Sequence, residues 1–198
     1  MSTVVASKIV VLGPGLDEER VRELVLERST GARLRRLLGR EDAIHVEHEV
    51  YWPIALVHAT ASSTGRRRWV ERVQGAIDLI SGRVGLVDLD VPDRREVQAD
   101  ERDCIPARLP RGVAELRWHE FFRDHVDRKH KPMRPPSLSV DRIERVWLPN
   151  HVVAVRDRRF LVDAMTARVD ELSSFPSVEQ MLASRPQTQT QGDPTCRA

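Results

Sequence analysis

The chain has 198 residues, 40% hydrophobic and 31% charged, a composition that excludes a disordered or fibrous protein and is enough for one compact body with a sizeable core. Its 32 basic and 30 acidic residues leave a formal charge of only +2, so no field of one sign draws the whole molecule to nucleic acid or a membrane. No apolar run approaches the ~20 residues that cross a bilayer.

The segment Met1–Val11 lacks the charged and apolar regions of a signal peptide. Cys104 and Cys196 are too few for a disulfide framework or a zinc site. The expectation is a cytoplasmic protein with two unpaired thiols and no membrane partner.

Residues 3–12 are β-branched and apolar and end at Gly13-Pro14-Gly15, which predicts a strand and a turn. A helix follows from about 17 to 39: Asp17 is its N-cap, Glu18 and Glu19 suit the positive end of the dipole, and Val21, Leu24, Val25, Leu34, Leu37 and Leu38 recur at helical spacing. From Ile44 the period changes to two, predicting a strand bent at Pro53 and continuing to Ala59. The polar segment 61–65 is a hairpin tip, and Arg66–Ile80 a second extended run that Ser81-Gly82 turns into 83–89.

Residues 91–112, with three prolines and mixed charges, read as a connection. Trp118, Phe121, Phe122, His125 and Val126 then form an apolar stripe opposed by Arg117, Glu120, Arg123, Asp124 and Asp127, a second amphipathic helix that ends before Pro132. Extended segments are expected at 140–147, 151–155 and 160–165, and a mobile tail over 185–198.

Two motifs recur in the same order. Val50-Tyr51-Trp52-Pro53 returns as Val146-Trp147-Leu148-Pro149, and Ile77-Asp78-Leu79-Ile80-Ser81-Gly82-Arg83-Val84 as Val162-Asp163-Ala164-Met165-Thr166-Ala167-Arg168-Val169. Each pair follows an amphipathic helix. The fold expected is α+β: an antiparallel sheet with helices packed on one face, made of two pseudo-repeated α-β-β units over 1–90 and 113–184 that share one body, joined by 91–112.

The order helix, strand, hairpin, strand, closed by Asp78-Leu79-Ile80-Ser81-Gly82, resembles the PepSY-type module, whose strand ends in Asp-x-x-Ser/Thr-Gly. The second copy has Ala167 where that pattern has Gly. The resemblance spans residues 17–89 and 113–172 and implies a non-catalytic interaction or inhibitory module.

No catalytic signature is assembled. A dinucleotide loop at Gly13-Pro14-Gly15 would need a third small residue where Glu18 stands. His45 and Glu47 share a strand face, but His48 faces away, and His119-Glu120 has Arg123 where a zinc-binding helix needs its second His, so no metal or cofactor is expected. No Gly-x-Ser-x-Gly occurs. Asp78 and Asp163 read as turn formers rather than a catalytic carboxylate pair.

Two basic patches remain: Arg66, Arg67 and Arg68 beside Trp69, and Arg128, Lys129 and Lys131 with Arg134. A solvated face explains both, and arginine beside an aromatic can also stack on bases while contacting phosphates. The function expected is a non-enzymatic interaction module, an adaptor or regulator that meets another protein or a second copy of itself through an exposed hairpin or sheet edge. Nucleic-acid binding through the two patches is the alternative, and a hydrolase or metalloenzyme the third reading.

Overall fold

A computed structural model describes residues 6–28, 43–64, 68–87 and 93–185. In chain order the elements are β1 (Ala6–Leu12), α1 (Glu18–Arg28), β2 (Ile44–Ser63), β3 (Trp69–Asp78), β4 (Val84–Leu86), β5 (Arg94–Asp100), α2 (Arg111–His130), β6 (Ser137–Val155), β7 (Arg158–Asp163), β8 (Arg168–Glu171) and α3 (Pro176–Ala183). The protein is α+β, with all eight strands in one sheet.

The spine of the sheet is the antiparallel pair β2 and β6, 20 and 19 residues long. Outside the C-terminal half of β2 lie β3 and then β4; outside the C-terminal half of β6 lie β7 and then β8. β1 touches β6 through one parallel bridge, Val11 to Trp147, and pairs antiparallel with β5.

Both spine strands run through a proline that sequence reading placed at a bend or a break. In the register, Tyr51 faces Pro149 and Pro53 faces Trp147. The Pro53 carbonyl accepts from the Leu79 amide at 3.2 Å and the Pro149 carbonyl from the Ala164 amide at 3.1 Å. Each proline nitrogen therefore points to the outer side of its strand, where the flanking ladder ends at Ile54–Asp78 or Asn150–Asp163, so no ladder donor is lost.

The turns that follow β3 and β7 share one hydrogen-bond scheme. Asp78 Oδ1 accepts from the amides of Ile80 and Ser81 at 2.8 and 3.2 Å, and Oδ2 accepts from the Ser81 hydroxyl at 2.5 Å. Asp163 does the same with Met165, Thr166 and the Thr166 hydroxyl at 2.8, 3.3 and 2.7 Å. Gly82 and Ala167 both take positive φ at the ends of these turns. This is the side-chain turn chemistry that Asp favours, and it occupies both carboxylates.

α1 and α2 lie on one face of the sheet. Ala114, Trp118, Phe122 and Val126 of α2 are buried over Val57, Ala59 and Ile77, with Phe121 at the margin. Gly75 makes this possible: a Cβ there would collide with the Trp118 indole and stand 2.8 Å from the Gly85 carbonyl oxygen. Val21, Leu24 and Val25 of α1 pack on Val153, Val155, Phe160 and Val162. Each helix thus covers mainly the strands that follow the other helix in sequence.

Three features depart from the expectations. The connection over 91–112 contains β5, whose alternating burial ends at buried Ala99. α3, started by Pro176 at its first turn, was not anticipated; it packs Val178 against Leu161, on the face of β7 opposite to Phe160 and Val162. The expected tail begins one residue too early, because Arg185 donates to Asp103 Oδ1 at 2.6 Å and to the Arg102 carbonyl at 2.9 Å, with its side chain largely buried. The expected continuation of the first helix over 29–39 and the tail from 186 lie outside the described residues.

Candidate binding surface at the C-terminal end of helix α2

Strand alternation decides what β3 offers to α2. Trp69, Glu71 and Val73 point under the helix, while Val70 and Arg72 point to the other face. α2 lies above them so that His125, Lys129 and His130, on its last two turns, come down on Glu71. Glu71 Oε1 accepts from Lys129 Nζ at 2.7 Å and faces His125 Nε2 at 3.1 Å, while Oε2 meets His130 Nε2. The Trp69 indole stacks on the His130 ring, with centroids 4.0 Å apart and planes 7° from parallel.

The Glu71 side chain is only 10% exposed. Burial raises its pKa, but hydrogen bonds from Lys129, His130 and His125 outweigh that and hold it at about 2. It is an anion at neutral pH, fixed by three basic side chains, and it ties the end of α2 to β3.

The sequence-named cations therefore divide. Arg66 and Arg67 lie outside the described residues, and Arg68 is exposed at the start of β3. Trp69 is half-buried and already stacked, Lys129 is bound to Glu71, and Arg128 Nε donates to the Asp124 carbonyl at 3.0 Å. Lys131 and Arg134 turn the other way, into a groove of about 820 Å³ on the outer side of α2. Its helix wall is His119, Arg123, Asp127 and Lys131, four residues apart on one stripe, and its other wall is the loop from Pro132 to Pro136 with Leu138.

Glu71, His119 and Arg123 are the residues that sequence reading missed as parts of this surface. The only local signal was the four-residue spacing, since the position of Glu71 under α2 depends on packing between segments more than fifty residues apart.

A second polar group lies where β2, β5 and β6 meet. Tyr51 is buried and hydrogen-bonded to Glu49; burial first, then the Glu49 charge, push its hydroxyl above the ordinary range. His151, also buried, is held below its ordinary pKa chiefly by burial, with Arg95 adding to that and Glu49 opposing it. Arg95 stands 3.5 Å from Glu49. A neutral phenol and a neutral imidazole are thus buried beside a partly exposed ion pair.

The remaining candidates are employed structurally. Glu47 pairs with Arg159 at 2.8 Å. Gly13, at φ +95, leaves room for Met165, which a Cβ would strike. Cys104 is a free thiol whose pKa burial, followed by the Asp103, Glu101 and Asp100 charges, raises to about 11. Among the described residues no group of three or more His, Cys, Asp or Glu side chains is arranged to hold a metal ion, and no helix is long and apolar enough to cross a membrane. Set against family models, curated proteins and solved structures, the chain matches none.

Proposed function

We propose that the protein is a non-enzymatic interaction module, a cytoplasmic adaptor or regulator, and that it engages another protein by adding a strand to the outer edge of β3. The observation that carries this reading is the length of that edge. β4 pairs with β3 only from Gly75 to Ile77, and the Val87 amide extends the contact by one bond to the Gln74 carbonyl. From Trp69 to Val73, β3 has no strand partner on its outer side among the described residues.

The Gln74 carbonyl points outward, so by alternation the amides and carbonyls of Arg72 and Val70 do too. Among the described residues nothing pairs with them, which leaves them to an extended segment, and Val70, 67% exposed, supplies an apolar contact beside them. The kinship with PepSY-type modules belongs to the same proposal and rests on the helix, strand, hairpin, strand order with its Asp-x-x-Ser/Thr turns.

Val70→Pro tests the edge. The substitution removes an outward amide and leaves the ladder to β2 intact, so the melting midpoint should stay within a few degrees of wild type while capture of the cellular partner is lost. Capture that survives the proline shows that the edge is not the contact.

Nucleic-acid binding is the second reading, favoured by Lys131 and Arg134, which line one groove at the end of α2. Trp69, the ring it would stack bases on, is occupied by His130.

A further inference from the structure

We propose that the groove on the outer side of α2 binds an acidic segment of a partner protein in which carboxylates alternate with apolar residues; this rests on the interaction-module reading and supplies the chemistry of the partner. Arg123, Lys131 and Arg134 line the groove with no carboxylate or carbonyl partner for their side chains among the described residues. Several other cations are engaged, Lys129 by Glu71, Arg117 by the Gly82 carbonyl at 3.0 Å, Arg94 by Glu144 at 2.7 Å and Arg111 by Glu115 at 2.8 Å, and what distinguishes the groove is that three without a partner among the described residues line one surface. Arg123 and Lys131 on the helix wall and Arg134 on the loop wall, with Asp127 between the first two as the one carboxylate of the lining, concentrate positive potential there.

The backbone supports the same assignment. Lys131 caps α2 in the left-handed region, at φ 44 and ψ 56, with its amide on the Asp127 carbonyl at 3.0 Å. Glycine is the residue that takes this position without steric cost. A lysine there carries backbone strain, as Arg156 and Ala167 do at their turns, and it places an ammonium group in the lining of the groove.

The lining also separates a peptide from a nucleic acid. Met133 is fully exposed at the rim, and Pro132, Pro135, Pro136 and Leu138 give an apolar wall suited to aliphatic side chains. Among the described residues no Trp, Tyr or Phe lines the groove, and the one ring there, the His119 imidazole, offers a base less stacking surface than an indole or phenyl ring.

The test uses the full chain and two fluorescent probes: a peptide alternating Glu or Asp with Leu or Val, and an oligothymidylate of equal charge. Fluorescence anisotropy should show the peptide binding with an affinity that falls as salt rises, and the oligonucleotide binding more weakly. Arg123→Glu combined with Arg134→Glu should weaken the peptide at least about tenfold. Lys131→Gly should weaken the peptide while raising the melting midpoint, two readouts moving in opposite directions as a lysine of purely structural value would not give.

Peptide affinity unchanged in the charge reversals overturns the proposal. If the cellular partner is still captured by those reversals but lost in Val70→Pro, the groove falls and the interaction module stands. Preference for the oligonucleotide overturns both.

Discussion

The corner of the sheet under α2 and the corner under α1 use matching strand positions with opposite distributions of bulk. Val57, Ile77 and Val84 lie under α2, and Val153, Val162 and Val169 under α1. Val57 faces Gly75 across the ladder, whereas Val153 faces Phe160. Where the strand has no side chain the helix supplies Trp118; where the strand supplies a phenyl ring the helix offers Val21, Leu24 and Val25. What the layer fixes is the volume to be filled at interior density, and either side of the interface can fill it.

The sharpest way to break this comparison is to move the bulk. Trp118→Ala, at a fully buried position, should cost about 3–5 kcal/mol in denaturant unfolding, and Phe122→Ala a similar amount. Gly75→Leu alone should also destabilise, because its Cβ collides with the indole and stands 2.8 Å from the Gly85 carbonyl oxygen; in the Trp118→Ala background only the first clash is gone, so the same substitution should cost about 1–2 kcal/mol less there than in the wild type. Equal costs in the two backgrounds would show that the two corners do not trade volume.

The next effect belongs to one corner only. Glu71, held at about 2, stabilises the fold fully above its unfolded-state pKa of about 4.3, and that contribution fades as pH falls from there towards 2. Glu71→Gln should lower stability at pH 7 by on the order of 1–3 kcal/mol and flatten the loss between pH 5 and 2, measured as melting midpoint against pH. A variant that keeps the wild-type acid slope would assign the slope to other carboxylates.

The smallest effect compares the two turns directly. Asp78 and Asp163 make the same bonds to their turns, but Asp78 also accepts from Trp52 Nε1 at 3.0 Å. Asp78→Ala should therefore cost about 1 kcal/mol more than Asp163→Ala. Equal costs would mean that the indole bond adds nothing net.

Periods confined to one segment were legible in the sequence. The alternation from Ile44 gave β2, the stripe through Trp118 and Phe122 gave the buried face of α2, and the two Asp turns were read correctly as turns. β5 was hidden because Arg94, Arg95 and Glu96 crowd a strand with only Val97 and Ala99 to mark its inner face. The candidate surface was legible only as composition. Lys129 and Lys131 look alike in sequence, but they leave α2 on opposite sides, and the choice is made by Glu71, 58 residues before Lys129. Trp69 read as a free stacking platform for the same reason: the ring that covers it, His130, comes from a distant helix.

The crossed covering of the sheet by α1 and α2 also sets an order of events during synthesis. The facing residues of β2 and β6 are roughly a hundred apart along the chain, so the central pairing is slow to form once both strands exist. At about 5–20 residues per second, several seconds separate the completion of β3 from the emergence of α2 and β6. Through that interval Val57, Ile77 and the bare backbone of Gly75 have no helix above them, and the nascent first half is a ready substrate for a chaperone or for the α2 of a neighbouring chain.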